Sequence, residues 1–126
     1  MRTAPFPPLS GMALASAMAL TAGLAAPLQA TAGPSAQALE QGRKIAFTRK
    51  LGNCLACHHI AGGTAAGNIG PPLVAMKQRY PNKAKLHAQI WDATVANPET
   101  PMPPFGRHQI LTERQIDLLT DYIWSL

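Results

Sequence analysis

The sequence predicts an all-α domain: three to four short helices, joined by long loops that wrap around something other than themselves. Three observations predict it. Apolar residues recur at three- and four-residue spacing in separate segments, and no segment alternates as a strand would. The stretches between those segments are too rich in glycine and proline for regular structure. The patterned part runs only from residue 33 to residue 126, so its core is small and needs a staple such as a disulfide, a metal or a cofactor.

Residues 1–32 read as a cleaved secretory signal and 33–126 as the domain. Arg2 is the only charge before Glu40, and Gly11 to Ala26 is an apolar run of small residues, Leu and Met. A small-x-small cleavage site follows at Ala30-Thr31-Ala32; Leu28-Gln29-Ala30 is a poorer one, because Leu is large for the outer position. The run is broken by Gly23 and Pro27 and falls short of the roughly 20 residues of a spanning helix. The expectation is export to the periplasm with no membrane span after cleavage.

The first helix is expected from about Ala36 to Arg49, with Leu39, Gly42, Ile45 and Ala46 on one face. Gly42 weakens a helix, so a close helix contact there would account for it. Ala61 to Pro72 is a Gly-rich loop ending in Pro71-Pro72, and Leu73 to Tyr80 is a short helical segment. Lys83 to Val95 follows as a helix with Leu86, Ile90 and Ala93 on one face, stopped by Asn97-Pro98. From Pro98 to Gly106 the density of proline forbids helix and central strand alike. The last helix runs from Leu111 to Trp124. Thr112 and Gln115 have the spacing of a capping box, Leu111 and Ile116 that of a hydrophobic staple, and Ile116, Leu119, Tyr122 and Ile123 form the apolar stripe. Loops this long in so small a domain imply a body to wrap around.

That body is named by Cys54-Leu55-Ala56-Cys57-His58. Two thiols one turn apart can each add to one vinyl group of a haem, and the histidine that follows then supplies the proximal nitrogen to the iron, which is the pattern of c-type haem attachment. One covalently attached haem c is therefore expected, and it serves as the missing staple. A thioredoxin-like reading of the same cysteines needs a βαβ context that the sequence lacks. A zinc site lacks a second ligand pair at usual spacing. His59, about a hundred degrees further round a short helix, points away from the iron and reads as a surface residue.

The sixth iron ligand must come from far along the chain; Met76, Met102, His87 and His108 are the candidates. Met102 is preferred, since Pro101 and Pro103-Pro104 remove backbone freedom around it and lower the entropy of ordering the loop. Phe105 beside it packs on the ring, and Gly106 lets the chain turn. Met76 has apolar neighbours and the character of core packing, and either histidine would give a bis-His haem of lower potential. The ring nitrogen of His58 not bound to iron needs an acceptor, and a backbone carbonyl near Pro71 can supply it, with Leu73 then packing on the haem. With both cysteines consumed by thioether bonds and the iron six-coordinate, no catalytic residue is expected in this chain.

Charge is lopsided. Eight basic residues lie between Arg43 and Lys85 with no acidic residue among them, whereas acidic residues outnumber basic ones beyond. Such a field steers an acidic partner or simply faces solvent. Nucleic acid is a poor fit to an exported chain without interleaved aromatics.

Three segments in order, Gly52-Asn53-Cys54-Leu55-Ala56-Cys57-His58, Gly67-Asn68-Ile69-Gly70-Pro71-Pro72-Leu73 and Met102-Pro103-Pro104-Phe105-Gly106, closed by the helix Leu111 to Trp124, resemble the SoxX family, the small monohaem subunits of the sulfur-oxidising cytochrome SoxAX. The resemblance covers roughly Ala36 to Leu126. It implies a class I cytochrome c fold with His58 and Met102 as axial ligands, and a periplasmic heterodimer with SoxA. It further implies a complex, similar in role to an L-cysteine S-thiosulfotransferase, that oxidatively couples thiosulfate to a cysteine of the carrier SoxYZ. In that family the catalytic haem belongs to SoxA, and the SoxX haem passes electrons to a soluble cytochrome c. A freely diffusing monohaem carrier shares every residue of the haem site and differs in surface alone: a subunit needs an apolar patch beside the haem edge, to which Ile60, Ile69, Val74 and Phe105 are candidates.

Overall fold

The computed structural model describes Met1 and residues 33–126. The expected signal segment and its cleavage site lie outside the described residues. Four helices order the domain: α1 (Ala36–Phe47), α2 (Met76–Arg79), α3 (Lys83–Trp91) and α4 (Glu113–Trp124), with single 3-10 turns at Cys54–Ala56 and Ala93–Val95. Among the described residues there is no strand, and no helix is long and apolar enough to cross a membrane.

Helices α1 and α4 form the frame. Ser35 caps α1 by accepting from the amide of Ala38 at 3.2 Å. The helix ends at Phe47, two residues before the expected Arg49, because Thr48 turns extended (φ −83°, ψ 120°). Its contact with α4 is close at Gly42, where a β-carbon would stand 2.7 Å from Cβ of Tyr122, so the glycine is there for helix approach as its position suggested. Helix α4 has both halves of its capping box: Gln115 N–H donates to Thr112 Oγ1 at 3.2 Å and Thr112 N–H to Gln115 Oε1 at 2.9 Å. Leu111, Ile116, Leu119, Tyr122 and Ile123 are all buried, and Ile45 and Ala46 of α1 belong to the same core. Phe47 meets Tyr122 edge-on, ring centres 6.4 Å apart.

The two middle helices are shorter than the periodicity suggests, each for a local reason. Helix α2 was expected from Leu73 to Tyr80 and begins only at Met76. Leu73 N–H is drawn to the carbonyl of His59 (2.9 Å) and Ala75 N–H to that of Leu126 (3.1 Å), with Ala75 in the left-handed region (φ 50°). Helix α3 was expected to reach Val95 and stops at Trp91. Asp92 is extended (φ −153°, ψ 91°), and its carboxylate accepts from Thr94 N–H at 3.0 Å, opening a new 3-10 turn. Leu86, Ile90 and Ala93 are still all buried. Trp124 Nε1 donates to the carbonyl of Tyr80 at 2.9 Å and ties the end of α4 to the link between α2 and α3.

Candidate haem site

The Cys54–His58 segment is one 3-10 turn followed by a bend rather than the short helix that the motif suggests. Competition for carbonyls explains this. The carbonyls of Leu55 and Cys57, which a continuing helix would satisfy four residues on, instead accept from Gly67 N–H and Gly70 N–H, both at 2.8 Å. His59 leaves the bend exposed, as expected of it.

The same loop holds the ring of His58. Its Nδ1 lies 2.7 Å from the carbonyl oxygen of Pro71. A carbonyl can only accept, so Nδ1 carries the proton, and in the neutral ring Nε2 keeps its lone pair for a metal. Gly70 lies flat against the ring: a β-carbon there would stand 2.6 Å from Nδ1. Arg79 props the loop from behind, Nη1 donating to the carbonyl of Pro72 at 2.7 Å. No pattern in the sequence links Arg79 to Pro72, and that role was missed.

Cys54, Cys57 and His58 open onto a cavity of about 590 Å³ that Gly70, Pro71, Leu73, Met102 and Phe105 also line. This is within the range of sites that enclose a small molecule or cofactor. Its walls are apolar: Leu86 and Ile90 from α3, Leu119 and Ile123 from α4, with Leu73, Met76 and Phe105. Among the described residues the formally charged groups in the lining are Arg49 and Arg79, which suits an apolar ring bearing carboxylates. Cys54 and Cys57 are not joined in a disulfide. Burial pushes the Cys54 thiol up to about 11, so it is neutral at physiological pH, the reverse of the lowered pKa of a thioredoxin-type cysteine. Two thiols, a histidine fixed in one tautomer and a largely apolar cavity of this size fit a haem, which Cys54 and Cys57 would bind covalently and whose iron His58 Nε2 would ligate.

Of the four candidates for the sixth position, Met76 and Met102 line the cavity and His87 and His108 do not. His87 turns to Asp117 instead, 3.3 Å away, and His108 is exposed. Met76 is buried in the core with Arg79 Nη1 3.5 Å from its sulfur. Met102 is half-buried, its amide donating to Thr100 Oγ1 at 3.2 Å.

The cytochrome c family model matches residues 39–126, more than half of the chain. The chain belongs to the cytochrome c family. No curated protein sequence matches it. Among solved structures this cytochrome is similar to a chain in the crystal structure of SoxXA from P. pantotrophus, with 28% identity and a TM-score of 0.62 over 68% of this chain and 79% of that one. The helical fold without strands in the described residues is that of class I cytochromes c, and membership implies covalently bound haem c. The cytochrome resembles SoxX in sequence and SoxXA in structure.

The expected apolar patch is redrawn. Ile60 and Phe105 are buried and belong to the core, so they face no partner. Ile69 (67% exposed), Val74 (50%) and, unforeseen, Ile110 (45%) are the apolar side chains left to solvent near the site, and Ile69 and Ile110 also line the cavity. The basic half is partly engaged within the chain. Lys83 Nζ pairs with Asp121 at 2.6 Å, and the ammonium of Lys77 lies 5.1 Å from the ring centre of Trp124.

Proposed function

We propose that this cytochrome is the electron-transfer haem subunit of a SoxAX-type complex, carrying one haem c. In that complex thiosulfate is oxidatively joined to a cysteine of the carrier SoxYZ, and the electrons leave to a soluble cytochrome c. The observation that carries the reading is the likeness to SoxXA together with the Cys54–His58 motif facing a cavity that Met102 shares. When bound, the haem supplies a one-electron couple. The chain's own residues do the rest. Cys54 and Cys57 tether the group. His58 presents Nε2 while Pro71 O holds the proton on Nδ1. Met102 offers its sulfur, and Leu73 and Phe105 keep water out. Arg49 and Arg79 offer positive charge to carboxylates. With both thiols committed, the sulfur chemistry falls to the partner. The exposed Ile69, Val74 and Ile110 beside the cavity suit a subunit contact with a SoxA-like cytochrome.

The reading places the protein in the periplasm after removal of residues 1–32. Its test is affinity purification of the haem-loaded chain from a periplasmic extract of its source grown on thiosulfate, with mass spectrometry of what accompanies it. A stoichiometric second c-type cytochrome is expected. A chain that emerges alone and monomeric overturns the subunit reading in favour of a freely diffusing carrier.

A further inference from the structure

The segment that carries Met102 is stiff in the middle and fastened at its far end. Pro101, Pro103 and Pro104 fix φ at three of the four positions from 101 to 104, so fewer torsions are left between the ends to absorb a displacement. Within the strap, Thr100 Oγ1 accepts from the amide of Met102. At the far end the chain is fastened to the end of α3. Gly106 N–H and Arg107 N–H both donate to the carbonyl of Trp91, at 3.0 and 3.3 Å. Gly106 lies so close to the Trp91 ring that a β-carbon would stand 2.6 Å from Cε2. Arg107 Nη1 then reaches Asp92 Oδ2 at 3.0 Å and Thr94 Oγ1 at 3.2 Å. Asp92 is buried, at 8% exposure, and its three hydrogen-bond donors are Thr94 N–H, Thr94 O–H and Arg107. None of Trp91, Asp92, Gly106 and Arg107 lines the cavity.

The geometry points to Asp92 and Arg107 as positioning residues for Met102: an ion pair outside the cavity that closes the far end of the proline strap and so sets how firmly the methionine sulfur is held at its site. The inference rests on the reading of Met102 as the sixth ligand. The break in α3 has a purpose under it. Asp92 interrupts the helix where its carboxylate can cap the next turn and take the guanidinium of the strap.

A competing ligand reads the clamp directly. Imidazole reaches the sixth position only in the fraction of molecules whose strap is open, so its apparent affinity rises by the factor by which opening becomes easier. The experiment is imidazole titration of the ferric, haem-loaded chain at fixed pH, followed at the weak near-infrared band of Met-ligated haem. Arg107→Gln breaks the ion pair at a side chain that is 57% exposed, so the core is untouched. It is expected to bind imidazole on the order of fivefold more tightly than wild type, between the return of an exposed pair and that of a hydrogen bond to a charged group. Arg107→Lys, which still reaches one carboxylate oxygen, should fall in between. Asp92→Asn is a second route to the same result should Arg107→Gln load poorly. Lys83→Gln removes an ion pair of α3 and α4 away from the strap and should match wild type. If wild type has the band and Arg107→Gln and Asp92→Asn bind imidazole as wild type does, or no more tightly than Lys83→Gln, the clamp is overturned. If wild type lacks the band, or keeps it in Met102→Ala, the ligand assignment itself is overturned.

Discussion

The two segments that bring His58 and Met102 to the cavity solve one problem by opposite means. The segment from Cys54 to Leu73 has no regular structure beyond a single turn, and it is held by exchange of backbone hydrogen bonds between the motif and a glycine-rich loop: Gly67 to Leu55, Gly70 to Cys57, Leu73 to His59. The stretch from Pro101 to Pro104 has a single amide to give, that of Met102, since prolines occupy positions 101, 103 and 104, and it is held by stiffness and by the hydrogen bonds of Gly106 and Arg107 that follow it. The first pays for its order with hydrogen bonds made as it folds, and the second has little disorder to lose. The histidine side should therefore be sensitive to any atom that separates its two strands of chain. The methionine side should be sensitive only at Met102 and at its fastenings.

The largest effect expected from testing that contrast is at the tether. Cys57→Ser, or Cys54→Ser, should leave at most one thioether bond and a low yield of holoprotein, read by mass and by the haem spectrum after acid extraction. Normal double attachment in either variant would sink the assignment of the motif. Next comes Gly70→Val, which drives a side chain into the His58 ring. Overpacking of this kind is worth about 1–3 kcal/mol, and the loss should appear as lower denaturant stability together with poor haem loading. A variant as stable and as fully loaded as wild type would show that the loop is not what holds the ring. Met102→Ala should abolish the near-infrared band yet leave the fold and both thioether bonds in place, since the strap is fastened elsewhere. Collapse of the fold would mean that the two segments are less independent than their hydrogen bonds suggest.

The smallest effect is electrostatic. Hydrogen bonding from the Thr94 hydroxyl, and then from Arg107, holds the Asp92 carboxyl below its usual value despite burial. A depressed carboxylate contributes stability that is fully present above its unfolded value of about 3.9 and is lost as pH falls through the lower folded value. Asp92→Asn should accordingly be less stable than wild type at neutral pH, with the gap closing below about pH 4. Denaturant melts at a series of pH values check this, and a gap of constant size would exclude the carboxylate's charge as its source.

Much of the frame was legible in the sequence, because it depends on signals a few residues long. The capping box at Thr112 and Gln115, the stripe of α4 and the unusual Gly42 in α1 all have the roles that their local pattern announces. The haem motif was legible for the same reason. The ends of α2 and α3 were not, since competition decides them: Asp92 takes the amide of Thr94, and Leu73 is claimed by His59 across the loop. Ile60 and Phe105 drop out as candidates for an exposed patch, because periodicity does not register burial outside helices, while Phe105 does line the cavity as expected of it.

By itself the sequence pointed to an all-α cytochrome c domain, a haem-attachment motif at Cys54, Cys57 and His58, and four candidates for the remaining iron ligand with Met102 preferred. Each follows from residue type and near-neighbour spacing. The tertiary structure narrowed the carbonyl expected near Pro71 to that of Pro71 itself, accepting from Nδ1 of His58, and it alone decided that Met76 and Met102, not His87 or His108, reach the cavity. It alone joined Asp92 to Arg107 across fifteen residues. Those facts depend on which distant atoms the packing of α1, α3 and α4 brings within hydrogen-bonding reach, and no short-range pattern encodes that.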